Sequence, residues 1–312
     1  MKIVAGLGSI DDYIKLVEAG ADEVFCGFVP YEWNKKYGNL FPLNRREVLF
    51  YNIQINSLED MKILKQMENE YKVKVTIAFN YLYYLEEQHS EILTIIRELM
   101  ENGFNEYIIA DIALIIYLRN KGLKCNIQLS GECSEINSLA IEFLNKLNIS
   151  RYIFHRKNSI EDMKSCIKNN KIKDLEYEAF ILNEKCHYTG AFCSSLHFDE
   201  MIHLCKMPYE LGGINKVLRI NVDNEEEDTN CELKEYLLGQ TGCGICALKR
   251  LKEIGVTHLK VVGRGNSVEN MVKDIKGLKE ALRLTNNGDF ENIVKEKIFK
   301  GRCSKECYYD FL

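Results

Sequence analysis

Short, nearly continuous apolar runs alternate along this chain with longer stretches whose apolar residues recur at helical spacing. The runs near 2–7, 23–28, 74–80, 106–111, 124–130, 151–156, 175–182 and 258–263 predict strands. The stretches near 9–19, 57–70, 86–101, 112–121, 134–147, 159–169, 244–254 and 267–284 predict helices. Four helix-to-strand junctions share one grammar: Gly20-Ala-Asp before Glu23-Val-Phe-Cys, Gly103-Phe-Asn before Glu106-Tyr-Ile-Ile-Ala, Asn148-Ile-Ser before Arg151-Tyr-Ile-Phe, and Gly255-Val-Thr before His258-Leu-Lys-Val-Val. Gly or Asn just past a helix end suits the left-handed residue that closes it. A continuous apolar strand suits a sheet covered on both faces. Ser9, Ser57, Ser134 and Ser159 stand just ahead of acidic residues, an N-cap pattern. Eight strands alternating with eight helices is the arithmetic of an α/β fold of the (β/α)8 TIM-barrel type. A doubly wound open sheet has the same period, because periodicity does not show closure.

Two stretches break the rhythm. Residues 29–56 hold Trp33, two of the prolines and Asn44-Arg45-Arg46, and read as a long loop beyond the second strand. Residues 183–243 form a long excursion after the seventh strand. In a barrel both rise from the C-terminal face, where active sites sit, and Asn44, Arg45 and Arg46 would reach over that mouth. The division predicted is a barrel over 1–285, including a cysteine-rich excursion over 183–246, and a C-terminal tail over 286–312.

At 46% hydrophobic residues the chain can bury a sizeable core, and 3 prolines with no Gly/Ser-rich tract argue against a flexible inter-domain linker. Met1-Lys-Ile-Val-Ala runs straight into an ordinary strand and helix, which predicts no signal peptide. No apolar run approaches the length that crosses a bilayer. Twelve cysteines without a secretory signal then point to a reducing cytoplasm, with thiolates or ligands rather than disulfides. The net charge of −5 gives no global footprint for nucleic acid, leaving only a local basic patch as a route to it. The acidic run Asn224-Glu-Glu-Glu-Asp228 reads as a solvated loop.

The cysteine spacing changes the picture. Cys186 and Cys193 are followed by Cys205 and then by Cys243-Gly-Ile-Cys246. A lone cysteine is usually a small buried hydrophobe, and Cys26, at the end of a strand, reads that way. Several thiolates converging on one point instead select zinc or an iron–sulfur cluster. His187 and His203 could complete a Cys/His zinc site, but four thiols are simpler. Cys303 and Cys307 are either a second clip, with Cys231 or Cys243, or part of an exposed tail, and the tail is expected.

Asn80, Asp111, Ser130, Arg156, Glu178 and Arg264 all fall at or near strand C-termini, so a barrel would converge them on one mouth. There Arg156 and Arg264 can clamp a carboxylate bidentately. Asp111 or Glu178 can handle a proton, with Asn80 and Ser130 as polar contacts to a small-molecule substrate. No Gly-x-Ser-x-Gly or His-Glu-x-x-His motif is present for a hydrolase.

These pieces in this order resemble the family filed as U32 peptidases. They are Glu18-Ala-Gly-Ala-Asp-Glu-Val-Phe-Cys-Gly27, Val75-Thr-Ile-Ala-Phe-Asn80, Ala110-Asp111, Ser130 with Asn137, and Arg156. Glu178-Ala-Phe, Cys186-(six residues)-Cys193, Cys205, Cys246-Ala-Leu-Lys and Lys260-Val-Val-Gly-Arg264 complete the set. The family's name implies proteolysis. Its better-understood members resemble oxygen-independent hydroxylases of RNA bases or of a ubiquinone precursor, with a [4Fe–4S] cluster and, in some branches, prephenate as oxygen donor. Carried over, the ligands are Cys186, Cys193, Cys205 and Cys246, with Cys243 the alternative fourth. The resemblance is nearest to the short ubiquinone-pathway branch, which implies a paralogous partner subunit. The functional expectation is redox or hydroxylation chemistry on a small organic substrate. The alternatives are a metal-dependent peptidase, a non-catalytic metal-stabilised subunit, and an RNA-base hydroxylase.

Overall fold

The computed structural model describes residues 1–38, 41–45, 54–133, 136–186, 236–303 and 306–309. Eight parallel strands close into a barrel in sequence order. They are β1 (Lys2–Gly6), β2 (Glu23–Gly27), β3 (Lys74–Phe79), β4 (Glu106–Ile109), β5 (Asn126–Leu129), β6 (Ile149–Ile153), β7 (Glu176–Leu182) and β8 (His258–Val261). Closure is made by β1 against β8, with Lys2 opposite His258 and Ala5 opposite Val261. An open sheet would leave two unpaired backbone edges, and closing it pairs every strand on both sides. That pairing decides for the barrel over the doubly wound alternative.

The described helices are α1 (Tyr13–Ala19), α2 (Tyr31–Tyr37), α3 (Leu58–Tyr71), α4 (Glu86–Glu101), α5 (Ile112–Asn120), α6 (Ser138–Leu144), α7 (Ile160–Asn169), α8 (Leu248–Ile254), α9 (Val268–Leu284) and α10 (Phe290–Lys297). Gly20 closes α1 at φ 112°, and Asn148 turns the chain into β6 at φ 53°. Both lie in the left-handed region that the junction grammar requires. Ser57 and Ser159 cap α3 and α7 through their hydroxyls. Ser134 lies outside the described residues, and α6 starts later than its pattern predicts, capped by Asn137.

Two further differences concern the stretches that broke the rhythm. The predicted loop 29–56 contains α2, whose Trp33 packs 4.5 Å from the Tyr37 ring and donates to the Phe41 carbonyl at 2.9 Å. The segment beyond 286 is not an exposed tail. α10 buries Phe290 and Val294, Cys303 and Cys307 are half-buried, and Tyr308 and Tyr309 are buried. Cys307 pairs with Cys243 through Cys243 N–H to Glu306 O and Tyr308 N–H to Cys243 O, each 2.8 Å. Cys26 is the core thiol its context predicts, with burial pushing it up to about 12.

The strands look apolar in sequence, yet the inside of the barrel is charged. Arg151 on β6 reaches across to Glu23 on β2 at 2.8 Å, and also holds Glu176 at 2.8 Å and Glu178 at 2.9 Å. His258 Nε2 lies 2.8 Å from the same guanidinium and 3.2 Å from Glu23. Above this group, Lys260 Nζ meets Glu178 at 2.6 Å. Burial alone would raise the Glu178 pKa, but the charges of Lys260 and Arg151 outweigh it and the net direction is down.

Removing one partner of such a network strands a buried charge, at a cost of about 3–5 kcal/mol. Arg151→Ala should lower unfolding stability by an amount of that order, read from urea denaturation. A loss under about 1 kcal/mol, the scale of an exposed ion pair, would contradict the role given to Arg151.

Candidate functional site

Beyond the strand C-termini the chain forms a pocket of about 570 Å³, open solvent at its mouth included. Asn80 follows β3, Ser130 follows β5, Arg156 follows β6 and Arg264 follows β8, and all four line it. Asp111 and Glu178 do not. Asp111 caps α5, accepting from Ala113 N–H at 2.8 Å, and its other oxygen accepts from Tyr84 N–H at 2.8 Å. Those bonds use the carboxylate to fix the β4–α5 turn. Glu178 lies beneath the pocket in the ion network, with its side chain 0% exposed.

Glu132, which the sequence did not mark, organises the mouth. Its carboxylate binds the Arg156 guanidinium directly and stands 3.5 Å from Arg45. Burial would raise its pKa, but Arg156 and then Arg45 hold it down to about 2. Arg156 in turn stacks 4.0 Å over the Phe180 ring. Beside it, His155 is buried and drops to about 4, with burial the main cause and Arg156 adding to it against the pull of Glu132.

The 41–45 segment closes one side. Arg45 N–H donates to Asn80 at 3.2 Å, and Asn44 accepts from Arg264 at 3.1 Å. Asn44 and Gln54 exchange two amide hydrogen bonds of 3.0 Å. Arg46 lies outside the described residues. On the other side, Asn183 and Glu184 both take left-handed φ, at 68° and 51°, and Glu184 joins the lining. Asn183 is pinned by Asp274 at 2.7 Å. Lys260 completes the lining from within β8. Among the described lining residues, Arg45, Arg156, Arg264 and Lys260 face the carboxylates of Glu132 and Glu184, a cationic excess.

The family model for peptidase family U32 matches residues 8–309. The chain belongs to peptidase family U32. No curated protein matches it. The U32 peptidase Mk0906 structure superposes with a TM-score of 0.43 at 8% identity, covering 58% of this chain and 69% of that one. A putative dihydrodipicolinate synthetase from Pseudomonas aeruginosa superposes with a TM-score of 0.50 at 7% identity, covering 96% of this chain and 80% of that one. The latter likeness is one of fold, in agreement with the closed barrel. Among the described residues, no helix of this U32 member is long and apolar enough to cross a membrane.

Cys193, Cys205, His187, His203, Cys231 and the acidic run at 224–228 lie outside the described residues. Cys186 and Cys246 are described and half-buried. The chain leading to Cys186 runs beside the chain leading to Cys246: Lys185 N–H donates to Thr241 O and Asn183 N–H to Gly242 O, both at 2.7 Å. Cys243 is buried, and burial pushes its thiol up, with Cys246, Cys303 and Cys307 adding to the shift. Among the described residues no three His, Cys, Asp or Glu side chains are grouped to hold a metal ion. The donors available from this pair are thiol sulfur, which fits half of a soft-ligand set of the cluster type.

The Glu132 clamp has a pH signature. In the unfolded chain this carboxyl takes its proton near the ordinary 4.5, whereas in the fold it resists until about 2. Its contribution is therefore complete above the first value and is lost as pH falls through the window between them. The stability difference between the wild type and Glu132→Gln should hold steady from about pH 7 to about pH 5 and narrow towards about pH 3. Urea unfolding at each pH measures it, and a difference unchanged at the acid end would contradict the clamp.

Proposed function

We propose that this U32 protein binds a small carboxylate-bearing organic molecule in the barrel mouth and acts on it by redox or hydroxylation chemistry. The observation that carries this reading is the cationic excess of Arg45, Arg156, Arg264 and Lys260 around one pocket. Guanidinium forks match carboxylates bidentately, and in a partly buried site such charge-assisted bonds are stronger than in water. Prephenate, a dicarboxylate, has the charge such a wall selects and is the proposed oxygen donor. The proposed cofactor is a [4Fe–4S] cluster held by Cys186, Cys193, Cys205 and Cys246. When bound, such a cluster supplies one-electron transfer.

The chain's own residues divide the remaining work. Arg156 and Arg264 hold the anion. Glu132 keeps Arg156 and Arg45 oriented, and the Phe25 and Phe180 rings exclude water from the inner wall. The peptidase reading rests on the family's name. A peptidase needs a nucleophile with a base or a metal-activated water.

Losing a charge-assisted bond of about 1.5–3 kcal/mol should weaken ligand binding roughly tenfold or more. Arg156→Ala and Arg264→Ala should therefore bind malonate or prephenate at least tenfold more weakly by calorimetry, with iron content unchanged after anaerobic purification. Cys186→Ser and Cys246→Ser should lose stoichiometric iron, while Cys125→Ser and Cys166→Ser keep it. Iron loss in Cys243→Ser with retention in Cys246→Ser would move the fourth ligand. Chelator-sensitive cleavage of an unstructured polypeptide, unaffected by Arg156→Ala, would favour the peptidase.

A further inference from the structure

Among the described cations lining the pocket, Lys260 is the one set within a strand, on β8, rather than beyond a strand end. Its Nζ lies 2.6 Å from Glu178 and 4.0 Å from the centroid of the Phe25 ring, in a side chain that is almost wholly buried. Arg151 spreads its one charge over Glu23, Glu176 and Glu178, so Lys260 completes the neutralisation of Glu178 while its amine also faces the pocket. The ammonium also reaches the lining of a pocket whose rim carries Arg156 and Arg264. Arginine stays charged in such a place, whereas a buried lysine gives up its proton readily and becomes a nucleophile.

We propose that Lys260 is a carbonyl-reactive lysine, whose amine condenses with the ketone of a 2-oxo acid held through its carboxylate by Arg156 and Arg264. The proposal rests on the carboxylate-binding reading above and narrows it to 2-oxo acids. The step balances without a further reactant. Glu178 takes one proton from the ammonium, and the free amine adds to the carbonyl carbon. The carbonyl oxygen then leaves as water, carrying the proton returned by Glu178 and a second from nitrogen. A protonated imine remains, with the same net charge as the ammonium it replaced. Burial lowers the Lys260 pKa, Glu178 opposes that, and the charges of Arg151 and Arg156 reinforce it, which favours the free amine.

The test uses the full chain, incubated with pyruvate or 2-oxoglutarate and sodium cyanoborohydride, then digested and mapped by mass spectrometry. Binding of the same acids is measured in parallel by calorimetry, with lactate and 2-hydroxyglutarate as controls that lack the ketone. The expected result is a reduced adduct on Lys260 with the oxo acids and none with the hydroxy acids. Lys260→Arg, which keeps a cation beside Glu178, should remain folded and lose the adduct completely, while Lys260→Met checks the result without the charge. Binding of oxo and hydroxy acids alike, with no adduct, would overturn the imine and leave the carboxylate reading standing. No binding and no adduct would overturn both. An adduct on any other lysine, persisting in Lys260→Arg, would also overturn the proposal.

Discussion

Glu178 has no solvent to share its charge with, so the barrel around it must supply the compensation. Arg151 does so from below and Lys260 from above, and between them they tie the scaffold to the site. The lower group gathers Glu23, Glu176 and His258 around Arg151. Its work is to hold β2, β6, β7 and β8 in register across the interior. Among the described residues the upper group has more cations than carboxylates, and that surplus faces the pocket. A purely apolar core would have packed as well. The charged column gives the pocket floor a fixed ammonium at a fixed depth.

Above the floor, the site is built from pieces far apart in sequence. Glu132 draws Arg156 from the end of β6 towards Arg45 from the segment after α2. Asn44 holds Arg264 from the end of β8. The left-handed pair Asn183 and Glu184 turns the chain out of β7, and Asp274 on α9 locks the turn. The C-terminal segment supports the same wall, as Tyr308 donates to the Asn183 carbonyl and Tyr309 to the Phe180 carbonyl at 2.6 Å. The pocket wall thus depends on the C-terminal segment of the chain as well as on the strand tips.

Much of this was legible from local pattern. Each strand and each helix of the repeat left its own period, and the left-handed residues at Gly20 and Asn148 announced the turns between them. Asn80, Ser130, Arg156 and Arg264 were legible because register alone carries a residue at a strand end to the mouth. Asp111 misled for the same reason. It does end a strand, but Ile112-Ala-Leu begins a helix whose N–H groups claim the carboxylate. Closure, by contrast, is a contact between β1 and β8 and leaves no local mark. Lys260 was hidden inside a run that reads as apolar, although His258, Lys260 and Val262 alternate with Leu259 and Val261 as inward-facing residues would. The helix α2 is short and begins just after Pro30, and the return of residues 306–309 to Cys243 is a pairing across more than sixty residues of sequence. Neither could be read from period.

The most direct measurement is a crystal structure of anaerobically prepared protein grown with malonate. The ligand's carboxylates should lie against the guanidinium groups of Arg156 and Arg264, above the Lys260 ammonium, with Glu132 still holding Arg156. Malonate bound elsewhere, with the mouth between Arg156 and Arg264 empty of it, would contradict the assignment of this pocket as a carboxylate site.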